Sequence, residues 1–256
     1  MRKILITLIG IILLLAFVSW YNTSPAVIIS RLNESNGGLE VKARQLRYRV
    51  YLFKVFPVGE AVFNNENVVE EYNGQRVYHL SATASNLKLL SKFFNASAQL
   101  DSYIDMRNFN PLLFKQRLVV SGKPDLYKEV YYDQENHIMS IDGERRRILA
   151  DTQDPLSAVF NIRRIDFSKI KDFEISINTN QKNYVLRGIA QTKGVSIKKK
   201  AYKAAFLKAN ISRRDKSRYH KSSIAMVLLE ENGNIPVLIN VFAKGIVINV
   251  RLVGIK

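Results

Sequence analysis

A chain of 256 residues, 47% of them hydrophobic, can bury one full core and is too short for more than two domains. The absence of cysteine excludes disulfides, thiolate metal sites, a cysteine nucleophile and a lipid-bearing cysteine. A net charge of +17 directs attention to anionic partners.

Residues 1–24 open with Arg2 and Lys3, followed by eighteen uncharged residues, ILITLIGIILLLAFVSWY. As a helix that run reaches across a hydrocarbon core of about 30 Å. It ends in Trp20 and Tyr21, whose rings suit the membrane interface. The reading is an uncleaved signal anchor over 1–24, against the alternative of a cleaved signal peptide, whose apolar run is ordinarily about 7 to 15 residues. Arg2 and Lys3 set against the uncharged NTSPAVIIS predict an inside N-terminus and an exported body. Beyond residue 24 there are 37 basic and 22 acidic residues, so the body itself carries +15. Export removes nucleic acid as an expected partner and leaves anionic lipid and glycan.

Residues 25–38, with NTSPA before them and ESNGG within, read as a spacer. From 39 to 256 one domain follows, built almost wholly of strands. LEVKARQLRYRVYLFKVF (39–56) is rich in aromatic and β-branched residues, and RVYHLSATA (76–84) alternates. Asn73-Gly74, Ser121-Gly122, Asp142-Gly143 and Asn232-Gly233 mark turns at the spacing of an antiparallel sheet of roughly a dozen strands. Two interruptions are helical. NLKLLSKFFNA (85–95) spaces Leu87, Leu90 and Phe94 for a short helix, and DPLSAVFNIRRIDF (154–167) offers Asp154 as N-cap, Pro155 at the first helical position and an apolar stripe through Leu156, Val159 and Phe160. The second helix is expected to plug one side of a curved sheet or partial barrel.

In order, VYLFKVFPVGEAVF (50–63), YHLSATASN (78–86), SYIDMRNFNPLLFKQRL (102–118), DPLSAVFNIRRIDF and the closing NIPVLINVFAKGIVINVRLVGI resemble the bacterial exported family called domain of unknown function 3108. The family's pattern falls on Gly59, Glu60 and Ala61, on Asp105 and Pro111, on Asp154 to Ala158, and on Ile235 to Val237. The chain departs from it in a lysine-rich middle. The resemblance implies an all-β curved antiparallel sheet or partial barrel in the cell envelope and supplies no catalytic residues. With the anchor, it places the chain in a bacterial inner membrane as a single-pass protein, its main domain in the periplasm, or free in the periplasm if the signal is cleaved.

Residues 193–221 hold eight lysines, three arginines and one acid, Asp215, a net +10 in 29 residues. Lys198, Lys199, Lys200, Lys203, Arg213, Arg214 and Arg218 are the candidate patch for a phosphate or carboxylate, with solvated loops around an edge strand as the alternative. In the closing strands Val237, Ile239, Val241, Ile246, Ile248 and Val250 line one apolar face. That face is either core covered by the 154–164 helix or a groove for an acyl chain. Arg163 and Arg164 are expected on the surface near the helix C-terminus, a buried arginine at a ligand cavity being the alternative. Enzyme readings find little. His79, His137 and His220 lack metal-ligand spacing, Ser157 sits in no Gly-x-Ser-x-Gly elbow, and Asp101 and Asp105 read as surface acids before a glycosidase pair.

The expected function is non-catalytic binding of an anionic lipid or glycolipid, with no metal and no cofactor, apolar strand faces meeting the chain and the basic run meeting the headgroup. The alternatives are an envelope scaffold for an acidic partner protein or cell-wall polymer and, behind it, a glycan hydrolase. The oligomeric state is not legible.

Overall fold

The computed structural model describes residues 42, 44–179, 182–197, 199–213, 222–243 and 245–256. The anchor and spacer therefore lie outside the described residues, and among those described no helix is long and apolar enough to cross a membrane.

Fourteen strands form a single antiparallel sheet. They are β1 (Arg44–Leu52), β2 (Phe56–Tyr72), β3 (Gln75–Asn86), β4 (Ala96–Asp105), β5 (Pro111–Val120), β6 (Leu126–Asp133), β7 (Ile138–Ile141) and β8 (Glu144–Arg147), then β9 (Asp172–Thr179), β10 (Lys182–Ile197), β11 (Lys200–Arg213), β12 (Ser222–Leu229), β13 (Ile235–Ala243) and β14 (Ile246–Ile255). Helix α1 spans Pro155–Arg164. The 85–95 segment contributes a single 3-10 helix, Lys88–Lys92. Two meanders, β1 to β8 and β9 to β14, are joined where β1 pairs with β14, which leaves β8 and β9 as the edges.

The chain leaves one edge at β8 and enters the other at β9, and α1 lies on that route. The sheet does not close strand to strand. Instead the segment before α1 bridges the opening: Gln153 N donates to the Ser176 carbonyl at 2.8 Å, Asn178 N donates to the Gln153 carbonyl at 2.8 Å, and Asn183 Nδ2 donates to the Arg147 carbonyl at 2.9 Å. Edge groups on β9 that would otherwise await a partner are thus occupied.

Helix α1 starts where the sequence directs. Asp154 accepts from the backbone N–H of Leu156 and Ser157, the Ser157 hydroxyl accepts from Asp154 N in return, and Pro155 needs no donor partner at that position. It ends at Ile165, which turns extended. Leu156, Ala158, Phe160 and Ile162 are buried, and the Phe160 ring packs 6.1 Å from Phe109 and 6.3 Å from Tyr78. One apolar cluster runs from Leu46, Val50 and Leu80 through α1 to Ile175, Leu228 and Ile248. The expected plug is therefore present.

The closing strands are core. Ile239, Val241, Ile248 and Val250 are buried within the main cluster and Ile246 packs against it. Val237 is displaced from that row, because Val227 pairs with Leu238 and Leu228 with Pro236, a bulge that leaves Val237 as the extra residue. Between α1 and β9 to β13 a cavity of about 40 Å³ remains, lined by Val159, Ile162, Leu186, Met226 and Ile239 among others. One water occupies about 30 Å³ of liquid, so that cavity has no room for an acyl chain.

Candidate functional site

Among the described residues, the basic run is drawn out along two strands. β10 and β11 pair along their whole length, from Tyr184 opposite Arg213 to Ile197 opposite Lys200. Lys200 and Arg213 are the two ends of one extended strand, about 40 Å apart at about 3.3 Å per residue. Lys199, Lys200 and Lys203 are exposed near one end and Arg213 is half-buried at the other, while Lys198, Arg214 and Arg218 lie outside the described residues.

The end bearing the lysines is a projecting arm. Pairing of β10 with β9 stops at Ile189 and pairing of β11 with β12 stops at Ala204, so residues 190–197 and 200–203 continue as a two-stranded ribbon. Its charge is partly compensated: Lys203 Nζ lies 2.9 Å from Glu230 and Lys200 Nζ 3.6 Å from Glu231.

A different basic and apolar surface, which the sequence reading did not single out, occupies the rim formed by the β1–β2 turn and the β3–β4 connection. Leu87 N donates to the Val58 carbonyl at 3.1 Å and holds the two together. Val55, Leu89 and Phe93 are 65%, 75% and 76% exposed, with Phe53 and Phe56 also outward. Lys54, Lys88 and Lys92 stand exposed among them, without an ion pair among the described residues, and neither 52–58 nor 87–96 contains an acid.

The β1–β2 turn is built against local preference. Phe53 and Lys54 have φ of 48° and 68°, the left-handed pair that a two-residue hairpin ordinarily fills with Asn-Gly. Val55 N donates to the Leu52 carbonyl at 3.1 Å, Phe53 N to the Val247 carbonyl at 2.8 Å, and Arg251 Nη2 to the Lys54 carbonyl at 2.7 Å while its guanidinium covers the Tyr51 ring at 4.4 Å. These contacts hold a bulky aromatic and a cation at the tip, where left-handed backbone costs about 1 to 2 kcal/mol per residue.

Of the three histidines, His79 is engaged with acids, and His220 lies outside the described residues. On the outer face His79 Nδ1 lies 3.0 Å from Glu70 Oε1 and Nε2 2.9 Å from Asp101 Oδ1, with the imidazole stacked 4.5 Å from the Tyr103 ring. The Asp101 hydrogen bond, reinforced by Glu70 against the opposing effect of burial, raises the His79 pKa. Both ring nitrogens thus lie within hydrogen-bond distance of a carboxylate. Asp105, expected as a surface acid, is buried and accepts from Arg107 Nη2 at 2.8 Å. Among the described residues no group of three or more acids and histidines is placed to hold a metal ion.

The arginines at the end of α1 depart from expectation. Arg163, expected at the surface, has no solvent exposure, because the apolar stripe of α1 continues from Leu156 and Phe160 onto position 163. Arg164 is half-buried, its guanidinium 3.3 Å over the Phe109 ring. Burial pushes both down to about 10.

The short motifs turn out to be scaffold. A Cβ on Gly59 would stand 2.7 Å from the Ser85 carbonyl oxygen, so only glycine fits there. Asp105 accepts from Arg107 N at 2.8 Å in the loop that leads to Pro111 at the start of β5. Asp154, Pro155 and Ser157 cap α1.

A family model described as a protein of unknown function, DUF3108, matches residues 47–247. No curated protein matches the chain. Among solved structures, a beta-barrel-like protein of the domain of unknown function DUF1849 from Brucella abortus is similar at a TM-score of 0.61 and 9% identity, over 85% of this chain and 98% of that one. A candidate lipoprotein from Parabacteroides distasonis (TM-score 0.36, 11% identity, 87% of this chain and 100% of that one) and a candidate exported protein with a YmcC-like fold from Bacteroides fragilis (0.33, 9%, 86% and 98%) are more distant. At these identities the similarity to the Brucella protein is one of fold, a barrel-like sheet, and the other two add nothing to it.

Proposed function

The chain belongs to the DUF3108 family of proteins of unknown function, and on that premise we propose that it is a non-catalytic domain of the cell envelope, held at a bacterial inner membrane by residues 1–24, that engages anionic lipid or glycolipid headgroups. The observation that carries this reading is the rim: Phe53, Val55, Phe56, Leu89 and Phe93 outward beside Lys54, Lys88 and Lys92, with no acid in either segment. Apolar side chains enter the boundary between headgroups and acyl chains while lysines reach the phosphates, as on interfacial segments. Each lysine near an anionic surface contributes about 1 kcal/mol. The lipid is met at the surface, since the closing strands are filled core.

A second reading, a scaffold for an acidic partner, is favoured by the 190–203 arm, which presents Lys193, Lys199 and Lys200 on strands with two unpaired edges.

The two separate in one experiment on the full chain reconstituted in vesicles. With Trp20→Phe removing the sole tryptophan and Phe53→Trp reporting from the rim, brominated anionic lipid is expected to quench the indole and neutral brominated lipid to quench it little. Lys54→Gln, Lys88→Gln and Lys92→Gln together should weaken the anionic effect roughly a hundredfold. Equal quenching by both lipids, or none by either, would remove the rim as a lipid site.

A further inference from the structure

Arg163 is the largest side chain in the described structure that is wholly buried. Its Nε donates to the Gly233 carbonyl at 3.2 Å, while Nη1 and Nη2 have no hydrogen-bond partner. The surroundings are fixed by other contacts. Asn234 Nδ2 donates to the carbonyls of Arg163 at 3.0 Å and Ile165 at 2.7 Å, clamping the 231–234 turn to the end of α1. Tyr48 on β1 gives its hydroxyl hydrogen to the Pro236 carbonyl at 3.0 Å, and its oxygen accepts no hydrogen bond from Arg163 Nη1 or Nη2.

The second cation here is Arg44, the first residue of β1, whose buried Nε also lacks a partner and whose charge acts on Arg163. Among the described residues no carboxylate is paired with either arginine. Glu230, the acid beside the turn, directs Oε2 to Lys203, and its buried Oε1 has no hydrogen-bond partner. Arg163 stays charged at neutral pH, its pKa still near 10 after burial. An uncompensated buried ion is strongly destabilising, and a guanidinium is a planar fork matched to two oxygens of one anion. Two buried acceptors, Asn65 Oδ1 opposite Arg44 across β1 and β2 and Asn234 Oδ1, lack donors as well, which the O–H of a protonated phosphate or a bound water satisfies.

The structure assigns to this place an interior oxyanion site, in which the unpartnered Nη1 and Nη2 of Arg163, backed by Nε of Arg44, take a carboxylate or phosphate group at the C-terminal end of α1. The anion has two sources of the same chemistry, a free ion or the headgroup of an amphiphile. The site is separate from the rim and does not depend on it.

The test is thermal unfolding of the full chain in neutral detergent, titrated with inorganic phosphate at constant ionic strength, then with phosphatidate in mixed micelles. Phosphate raises the Tm of most proteins by exclusion from their surfaces, without saturation. A bound ion adds a saturating rise governed by its dissociation constant. The wild type is expected to show the saturating component, Arg163→Met to lose it, and Arg164→Met to keep it. Arg44→Gln should weaken the apparent affinity roughly tenfold, the effect of one charge-assisted hydrogen bond. Saturation with phosphate identifies a free ion, and saturation only with phosphatidate identifies a headgroup; either supports the site. Should Arg163→Met fail to fold, the wild-type curve with Arg44→Gln decides. A linear response in the wild type to both probes, or identical curves in wild type and Arg163→Met, overturns the proposal.

Discussion

Ser102, within β4, donates its hydroxyl to Oδ2 of Asp154 at 2.6 Å, while the other carboxylate oxygen of Asp154 receives the first backbone N–H groups of α1. One buried carboxylate thus caps the helix and fastens it to the sheet. Asp154→Ala removes the cap and leaves three buried donors unanswered, and the expected loss is about 2 to 4 kcal/mol in urea unfolding. A loss under about 1 kcal/mol would show that apolar packing alone seats α1.

Phe160 fills the space between α1, Tyr78 and Phe109 and is 3% exposed. Its truncation to alanine is expected to cost about 3 to 5 kcal/mol, the range for large core aromatics. Chemical denaturation measures this directly, and a near-neutral result would place α1 outside the core.

At the tip of β1 and β2, the left-handed pair Phe53-Lys54 can be replaced by the Asn-Gly that such a turn favours. The double substitution is expected to stabilise the fold by about 1 to 2 kcal/mol and to weaken association with anionic vesicles. Opposite signs in unfolding and vesicle binding are the signature of a turn that keeps strain for contact. A variant that gains stability and binds as before would show the tip plays no part in binding.

His79 gives a pH dependence with a defined sign. Its pKa is raised in the folded state by Asp101 and Glu70 above the ordinary 6.5, so the folded form holds the proton more tightly than the unfolded form. The contribution is fully present below about 6.5 and is lost as pH rises through the higher folded value. Stability of the wild type should therefore fall across that window more steeply than that of His79→Gln. Parallel profiles for the two would mean that the pair of acids does not hold a charged imidazole.

Local order was written in the sequence and can be read residue by residue. The cap at Asp154, the proline after it, the Asn-Gly and Asp-Gly turns and the alternation along 76–84 each act within a few residues, so neighbours suffice to specify them. The antiparallel sheet, the short helix that plugs it and the buried rows of Ile239, Val241, Ile248 and Val250 follow from the same periodicity. The departure of Val237 from that expected row is a matter of one extra residue in one strand, which no period of two announces.

What touches what across the sheet was decided by tertiary structure. Lys200 and Arg213, within one basic run of the sequence, were carried to opposite ends of a fourteen-residue strand, because an extended chain converts closeness along the sequence into distance. Phe53 and Phe93, forty residues apart, were brought to one rim by hairpins that return the chain to the same end. Arg163 was buried because position 163 shares the helical face of Leu156 and Phe160 that packs on the sheet, while Arg164, one residue on, stays half-buried.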